Sequence, residues 1–172
     1  MNTEFCPLPD GARLWYWDDF APGQCYQLGS YYLSKQEILE FGRHYDPLTI
    51  HTDEAGAKQT PLGGLCASGI QTIAVAQKLQ IEQLFSKTAI VAGASMNNLK
   101  LRRPVWPDQS LSARIKIQRC YRMPTNPKHG MVEYQMWVLD QQGARVASFE
   151  IGIVLQCRPD APTAVANSTS TN

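Results

Sequence analysis

The chain has 172 residues, 44% of them apolar and 18% charged. That describes one globular domain with a real core and short tails at most. A formal charge of +1 excludes a strong global pull toward nucleic acid or an anionic membrane. No apolar run reaches membrane-spanning length, and MNTEFCPLPDGARL has neither a basic n-region nor an apolar core. A cytoplasmic protein without a secretory signal is expected.

Residues 1–13 contain Pro and Gly and are read as a loosely held lead-in; the domain is expected over 14–157. Leu14-Trp15-Tyr16-Trp17 is aromatic enough for a short strand or a packed arm, and Asp18 to Gly23 reads as a turn. Gln24 to Leu33 alternates loosely and predicts a first strand. Ser34-Lys35-Gln36-Glu37 fits a capping box, so a helix is expected from Lys35 to Tyr45. Pro47 disfavours helical geometry at Asp46, which ends that helix. Thr52 or Asp53 then caps a helical turn through Lys58.

Leu65 to Phe85 is the longest helical candidate, with Ile70, Ile73, Ala74, Gln77 and Leu79 on its apolar face. After it the period changes to two. Strands are expected over Ile90–Leu101, with a bulge at Gly93, then Ser110–Met123, Met131–Leu139 and Ala144–Cys157. Turns are placed at Pro124–Gly130 and Asp140–Gly143. Residues 158–172 are rich in Pro, Ala, Thr and Ser, and a disordered tail is expected. An antiparallel sheet wrapped around one long central helix is an α+β arrangement, and its free edge invites pairing with a second chain.

Within this frame Asp46 and His51 stand five residues apart. A dozen residues later comes Gly63-Gly64-Leu65-Cys66-Ala67-Ser68-Gly69, just before the long helix. A proton-handling pair followed by a helix start, with its free N–H groups, suits acyl-group chemistry. The five cysteines are scattered without a CxxC, which fits reduced thiols and no zinc site. Cys66 reads as a small buried residue rather than a nucleophile. Tyr45 reads as core or cleft wall, and His44 and His129 as surface residues. The three histidines lack metal-ligand spacing.

Three motifs occur in order: FGRHYDPLTIHTDEAGA (41–57), PLGGLCASG (61–69) and NNLKLRRPVWPDQSL (97–111). On these the chain resembles the MaoC-like dehydratases, the hotdog-fold group that includes (R)-specific enoyl-CoA hydratases. The resemblance covers roughly residues 15–156. It implies Asp46 and His51 as the pair that activates water, and Gly69, with Ser68 beside it, as the element near the thioester oxygen. Ser68 is alternatively only a helix cap. It implies a hydratase or dehydratase acting on a 2-enoyl thioester of coenzyme A or an acyl carrier protein. No metal or redox cofactor is needed for that chemistry, and a homodimer or higher oligomer is expected.

Arg102 and Arg103 suit the phosphates of coenzyme A, or are a solvated strand end. Asn97 and Asn98 serve either the cleft or a bulge. The commonest form of the first motif has Asn and Pro where Leu48 and Thr49 stand here, and Pro107-Asp108 lacks the usual preceding Gly. Two alternatives stay open. One is a hotdog thioesterase, disfavoured because residues 65–81 contain no carboxylate. The other is a non-catalytic subunit that binds acyl thioesters.

Overall fold

The structure is a computed structural model, and it describes residues 4–159. The sequence reading of the tail from residue 160 onward lies outside the described residues. Five antiparallel strands form one sheet in the order β1-β3-β4-β5-β2: β1 (Cys25–Leu33), β2 (Ile90–Leu101), β3 (Gln109–Met123), β4 (Asn126–Leu139) and β5 (Arg145–Gln156). Four helices accompany them: α1 (Lys35–Tyr45), α2 (Thr49–Thr52), α3 (Glu54–Ala57) and α4 (Gly69–Gln83). The sheet curls around α4, which packs against β1 and β3. Among the described residues no helix is long and apolar enough to cross a membrane.

The period-two pattern does what it predicts. Leu111, Ala113, Ile115 and Ile117 on β3 and Val132, Tyr134, Met136 and Val138 on β4 all face inward and are buried. Each such aliphatic side chain contributes about 1.5–3 kcal/mol. β4 starts at Asn126, five residues earlier than its alternation suggests, and leaves a tight turn at Pro124-Thr125. Met123 pairs with Asn126, so the ladder continues through a stretch whose composition reads as loop. His129 therefore sits half-buried in a strand, against the amide of Asn126.

Helix α4 departs from its sequence reading in two ways. It starts at Gly69 rather than Leu65, because residues 66 and 67 spend their backbone groups sideways. The Cys66 N–H donates to the Ile50 carbonyl (2.9 Å), and the Ala67 N–H to that of Val105 (2.8 Å). Its buried stripe is also not the one hydropathy selects. Gln71, Thr72, Val75, Ala76, Leu79 and Gln80 are buried, whereas Ile70 is 60% exposed. The inward polar groups are tolerated because most are bonded: Thr72 Oγ1 to the Ser68 carbonyl, and Gln80 Oε1 by the Tyr134 hydroxyl at 2.6 Å.

Strand β2 is one of the two edges of the sheet, and all twelve of its residues are exposed. Its pairing with β5 breaks register at three points, one of them between Gly93 and Ser95. Another break lies between Asn97 and Lys100. There Asn98 takes a positive φ of 52° and its amide donates to Glu150, so this asparagine pair shapes a bulge.

Residues 4–13, expected as a loose lead-in, are tethered. The Cys6 N–H donates to the Cys25 carbonyl (2.7 Å), and Lys87 Nζ donates to that of Pro9 (2.8 Å). Trp15 bridges to Thr88, and a 3-10 turn follows over Trp17–Asp19. Asp19 gathers this arm: its carboxylate accepts from both guanidinium nitrogens of Arg13, from the Tyr16 N–H and from Arg158. Burial pushes the Asp19 carboxyl up, but the bonds from Arg13 and Tyr16 and the charge of Arg158 outweigh it and hold it below its ordinary value. A depressed carboxyl adds stability above its unfolded pKa of about 3.9, and this is lost as pH falls through the lower folded value. Asp19→Asn should therefore cost about 1 kcal/mol at pH 7. Thermal melts should show the gap to the native chain closing below about pH 3.

Candidate active site

Asp46 is the C-cap of α1. Its N–H still donates to the Gly42 carbonyl (3.0 Å), but its backbone has left the helix at φ −151°, ψ 74°. Pro47 fixes that exit. The chain then turns at Leu48 into α2, a four-residue helix the sequence reading leaves out. His51 lies in its last turn and is 6% exposed. The two side chains meet: His51 Nε2 is 3.4 Å from Asp46 Oδ2, and the carboxylate remains 29% exposed.

The other ring nitrogen settles the tautomer. His51 Nδ1 is 2.7 Å from the backbone oxygen of Cys66. A carbonyl only accepts, so Nδ1 carries a proton, and whenever the ring is neutral Nε2 presents its lone pair to Asp46. A carboxylate and a lone pair cannot bond each other directly. A molecule with two O–H donors, such as water, satisfies both.

Ser68 is a helix cap and also reaches the carboxylate of Asp46. Its hydroxyl donates to Asp46 Oδ2 (2.7 Å) and accepts from the Ile70 N–H (3.2 Å), capping α4 while orienting the acid. Gly69 is the first residue of α4, so its N–H has no acceptor within the helix. A Cβ there would collide with Leu101 Cδ1, so the glycine lets Leu101 pack close against the helix start.

Gly69 and His51 line one groove of about 340 Å³ with Cys66, Leu101, Arg102 and Arg103. Both arginines are exposed and lack an acidic partner among the described residues. Arg102 Nε reaches only the Ser148 hydroxyl, at 3.4 Å. A second cavity, of about 480 Å³, is lined by Tyr31, Phe41, Tyr45, Gln71 and Val75 among others. Tyr45 is 75% exposed, so it is cavity wall and not core. His44 is on the surface as expected. Cys66 is buried, and burial pushes its thiol up. Its sulfur lies 3.8 Å from His51 Nδ1, whose proton goes to the carbonyl.

The family described as MaoC like domain matches residues 19–137, well over half of the chain. The chain belongs to the MaoC-like domain family. It is 31% identical to YdeM, an uncharacterised protein of Bacillus subtilis, over 139 residues that cover 81% of this chain and 97% of YdeM. Among solved structures it resembles the MaoC-like dehydratase of Rhodospirillum rubrum, with 24% identity and a TM-score of 0.76. That match covers 84% of this chain and 98% of the other. It also resembles the R-hydratase PhaJ1 of Pseudomonas aeruginosa, with 18% identity and a TM-score of 0.65 over 87% and 96%. The architecture is the hotdog fold.

Against the commonest MaoC-like motif, Leu48 and Thr49 occupy the N-cap and first position of α2. Asn and Pro are good residues for those two positions. Leu48 supplies no side-chain cap, and here the rigidity comes from Pro47, one residue earlier. In the Pro107-Asp108 turn, Asp108 takes a positive φ of 58°. Its carboxylate receives the Lys35 N–H at 3.1 Å, which pins the start of α1.

One positioning residue is missed by motif reading. A Cβ on Gly42 would lie 2.5 Å from the His51 backbone oxygen, so this glycine lets α1 approach α2 closely. Its only sequence signal is a glycine inside a strong helical pattern. The Cys66 carbonyl carries no side-chain signal at all.

Proposed function

We propose that this MaoC-like chain adds water to a 2-enoyl thioester, or removes it from the 3-hydroxy product, with Asp46 and His51 as the acting pair. The observation that carries this reading is the convergence of a carboxylate oxygen and an imidazole lone pair beside an open helix-start amide. Nε2 takes one proton of the water as the water oxygen bonds to the β-carbon. The electron pair of the double bond passes to the thioester oxygen, where the Gly69 N–H and the α4 dipole favour negative charge. The enolate then collapses, taking a proton at the α-carbon from the dyad, which returns to its starting state. A single donor of that kind is worth about 3–4 kcal/mol of barrier.

The carrier is coenzyme A or an acyl carrier protein. The unpaired guanidiniums of Arg102 and Arg103, in the groove that reaches His51 and Gly69, favour a phosphate-bearing carrier arm there. No redox or metal chemistry enters these steps. Five cysteines without a disulfide fit a reducing cytoplasm. A thioesterase reading would want a carboxylate early on the central helix, and the first one on α4 is Glu82, which pairs with Lys78.

We also place a second copy of the chain against β2. A twelve-residue edge strand with exposed Met96, Leu99 and Leu101, beside exposed Ile70, offers unpaired backbone groups and apolar surface together. Leu101 and Gly69 line the same groove, so the pairing would border the site. Sedimentation should give the mass of two chains or more, and a strictly monomeric mass contradicts the pairing.

Purified protein mixed with crotonyl-CoA should remove the conjugated enoyl absorbance. Asp46→Asn and His51→Ala should each lower that rate by two to four orders of magnitude with unchanged circular dichroism, about the range for general acid–base groups. Near-native turnover by either variant overturns the dyad. Thiol release without loss of the alkene would point to a thioesterase, and silence with every enoyl thioester to a binding subunit.

A further inference from the structure

The outer face of the sheet carries a row of side chains that the proposed reaction does not use. Lys100 pairs with Ser148, Ser148 with Trp137, and Trp137 with Arg114, so the row crosses β2, β5, β4 and β3 in turn. Cross-strand partners share a face. The next row, through Ala147, Val138 and Ala113, joins the core, so this one looks outward. Arg145 pairs with Leu139, two positions from Trp137, and its guanidinium lies over the Trp137 ring at 5.7 Å. At the β2 end Arg102 Nε reaches the Ser148 hydroxyl, which connects the row to the groove of Arg102, Arg103, His51 and Gly69.

Lys100, Arg102, Arg103, Arg114 and Arg145 are all exposed, and none has an acidic partner among the described residues. The carboxylates on the same face lie further along the strands and are engaged. Glu133 accepts from Tyr121 and pairs with Arg119, and Glu150 accepts from the Asn98 amide. Asp140, next to Leu139, accepts the N–H groups of its own hairpin turn. The whole chain carries a formal charge of only +1, so this patch is a local excess of positive charge. Within it lies a cavity of about 180 Å³, walled by Phe5, Trp137, Leu139, Arg114 and Arg145. The Arg114 guanidinium lies over the Phe5 ring at 5.3 Å, and its Nε is bonded to Gln27 Oε1. A phosphate gains nothing from such an apolar notch. A protein surface with carboxylates set around one apolar side chain matches both the notch and the charge.

We propose that this face is the docking surface for an acidic acyl carrier protein. Its carboxylates meet Lys100, Arg114 and Arg145, one apolar side chain enters the notch, and its phosphopantetheine arm enters the groove past Arg102 and Arg103. The proposal chooses between the two carriers left by the hydratase reading, and it rests on that reading. Three strand steps of about 4.8 Å make the row roughly 14 Å broad, enough for one helix of the partner. Pairing of β2 with a second copy extends the sheet sideways and leaves this outer face open.

The test compares crotonyl-CoA with a crotonyl group carried on a purified bacterial acyl carrier protein. At low salt the native protein should favour the carrier-protein thioester about tenfold or more in kcat/KM, through KM, and added salt should shrink that advantage. Arg114→Glu with Arg145→Glu should abolish it with unchanged circular dichroism, and Arg114→Gln with Arg145→Gln should fall between. An advantage that is absent, or that salt and both double variants leave unmoved, overturns the proposal. A preference for crotonyl-CoA that both double variants erase assigns these cations to its phosphates and also overturns it. Fluorescence anisotropy of the labelled apo carrier protein, which lacks the arm, separates docking from chemistry. If neither thioester turns over, the hydratase reading falls, while apo carrier binding that weakens about tenfold in the Glu double variant still supports the docking face. No binding of the apo carrier removes it.

Discussion

The site depends on one backbone carbonyl. The oxygen of Cys66 holds the proton of His51 Nδ1 and so turns the lone pair of Nε2 toward Asp46. It can do so because residues 65–68 are kept extended, clasped by Ile50 on one side and Val105 on the other. One residue later the chain enters α4, and Ser68 bonds Asp46 and the helix N-terminus with one hydroxyl. Four residues thus set the tautomer of His51, the orientation of Asp46 and the start of the helix whose first residue lines the groove. A helix beginning at Leu65 would have turned the Cys66 carbonyl to the N–H of Ile70 and left His51 Nδ1 without its acceptor.

The packing of α4 shows how the scaffold accepts this. A helix with Gln71, Thr72 and Gln80 inward and Ile70 outward violates simple amphipathic order. Most inward polar groups are bonded across to the sheet or back to the helix, so their burial costs little. The outward Ile70 and the β2 edge are both exposed. What looks like frustration in one chain is consistent with a surface that a second chain covers.

Sequence patterning captured much of the frame. The capping box at Ser34 and Glu37 set the start of α1, and the alternation of Leu111 to Ile117 set the inward face of β3. The five-residue spacing of Asp46 and His51 marked two side chains that the fold brings together. Other features were illegible for physical reasons. Helix α2 is a single turn without a side-chain cap, too short for any periodicity to register. The early part of β4 carries Pro, Lys, His and Gly, yet pairing with β3 overrides their loop preference. The inward stripe of α4 was misread because hydropathy does not count hydrogen bonds made by tertiary partners. The Cys66 carbonyl belongs to the backbone, which every residue shares.

The most direct test of the account is nitrogen-15 NMR of the His51 ring in the native protein. With the ring neutral, Nδ1 should give the protonated, pyrrole-type signal and Nε2 the unprotonated, pyridine-type signal. A proton found on Nε2, with Nδ1 bare, would mean that the Cys66 carbonyl does not set the tautomer, and the proposed handling of water by His51 and Asp46 would be contradicted.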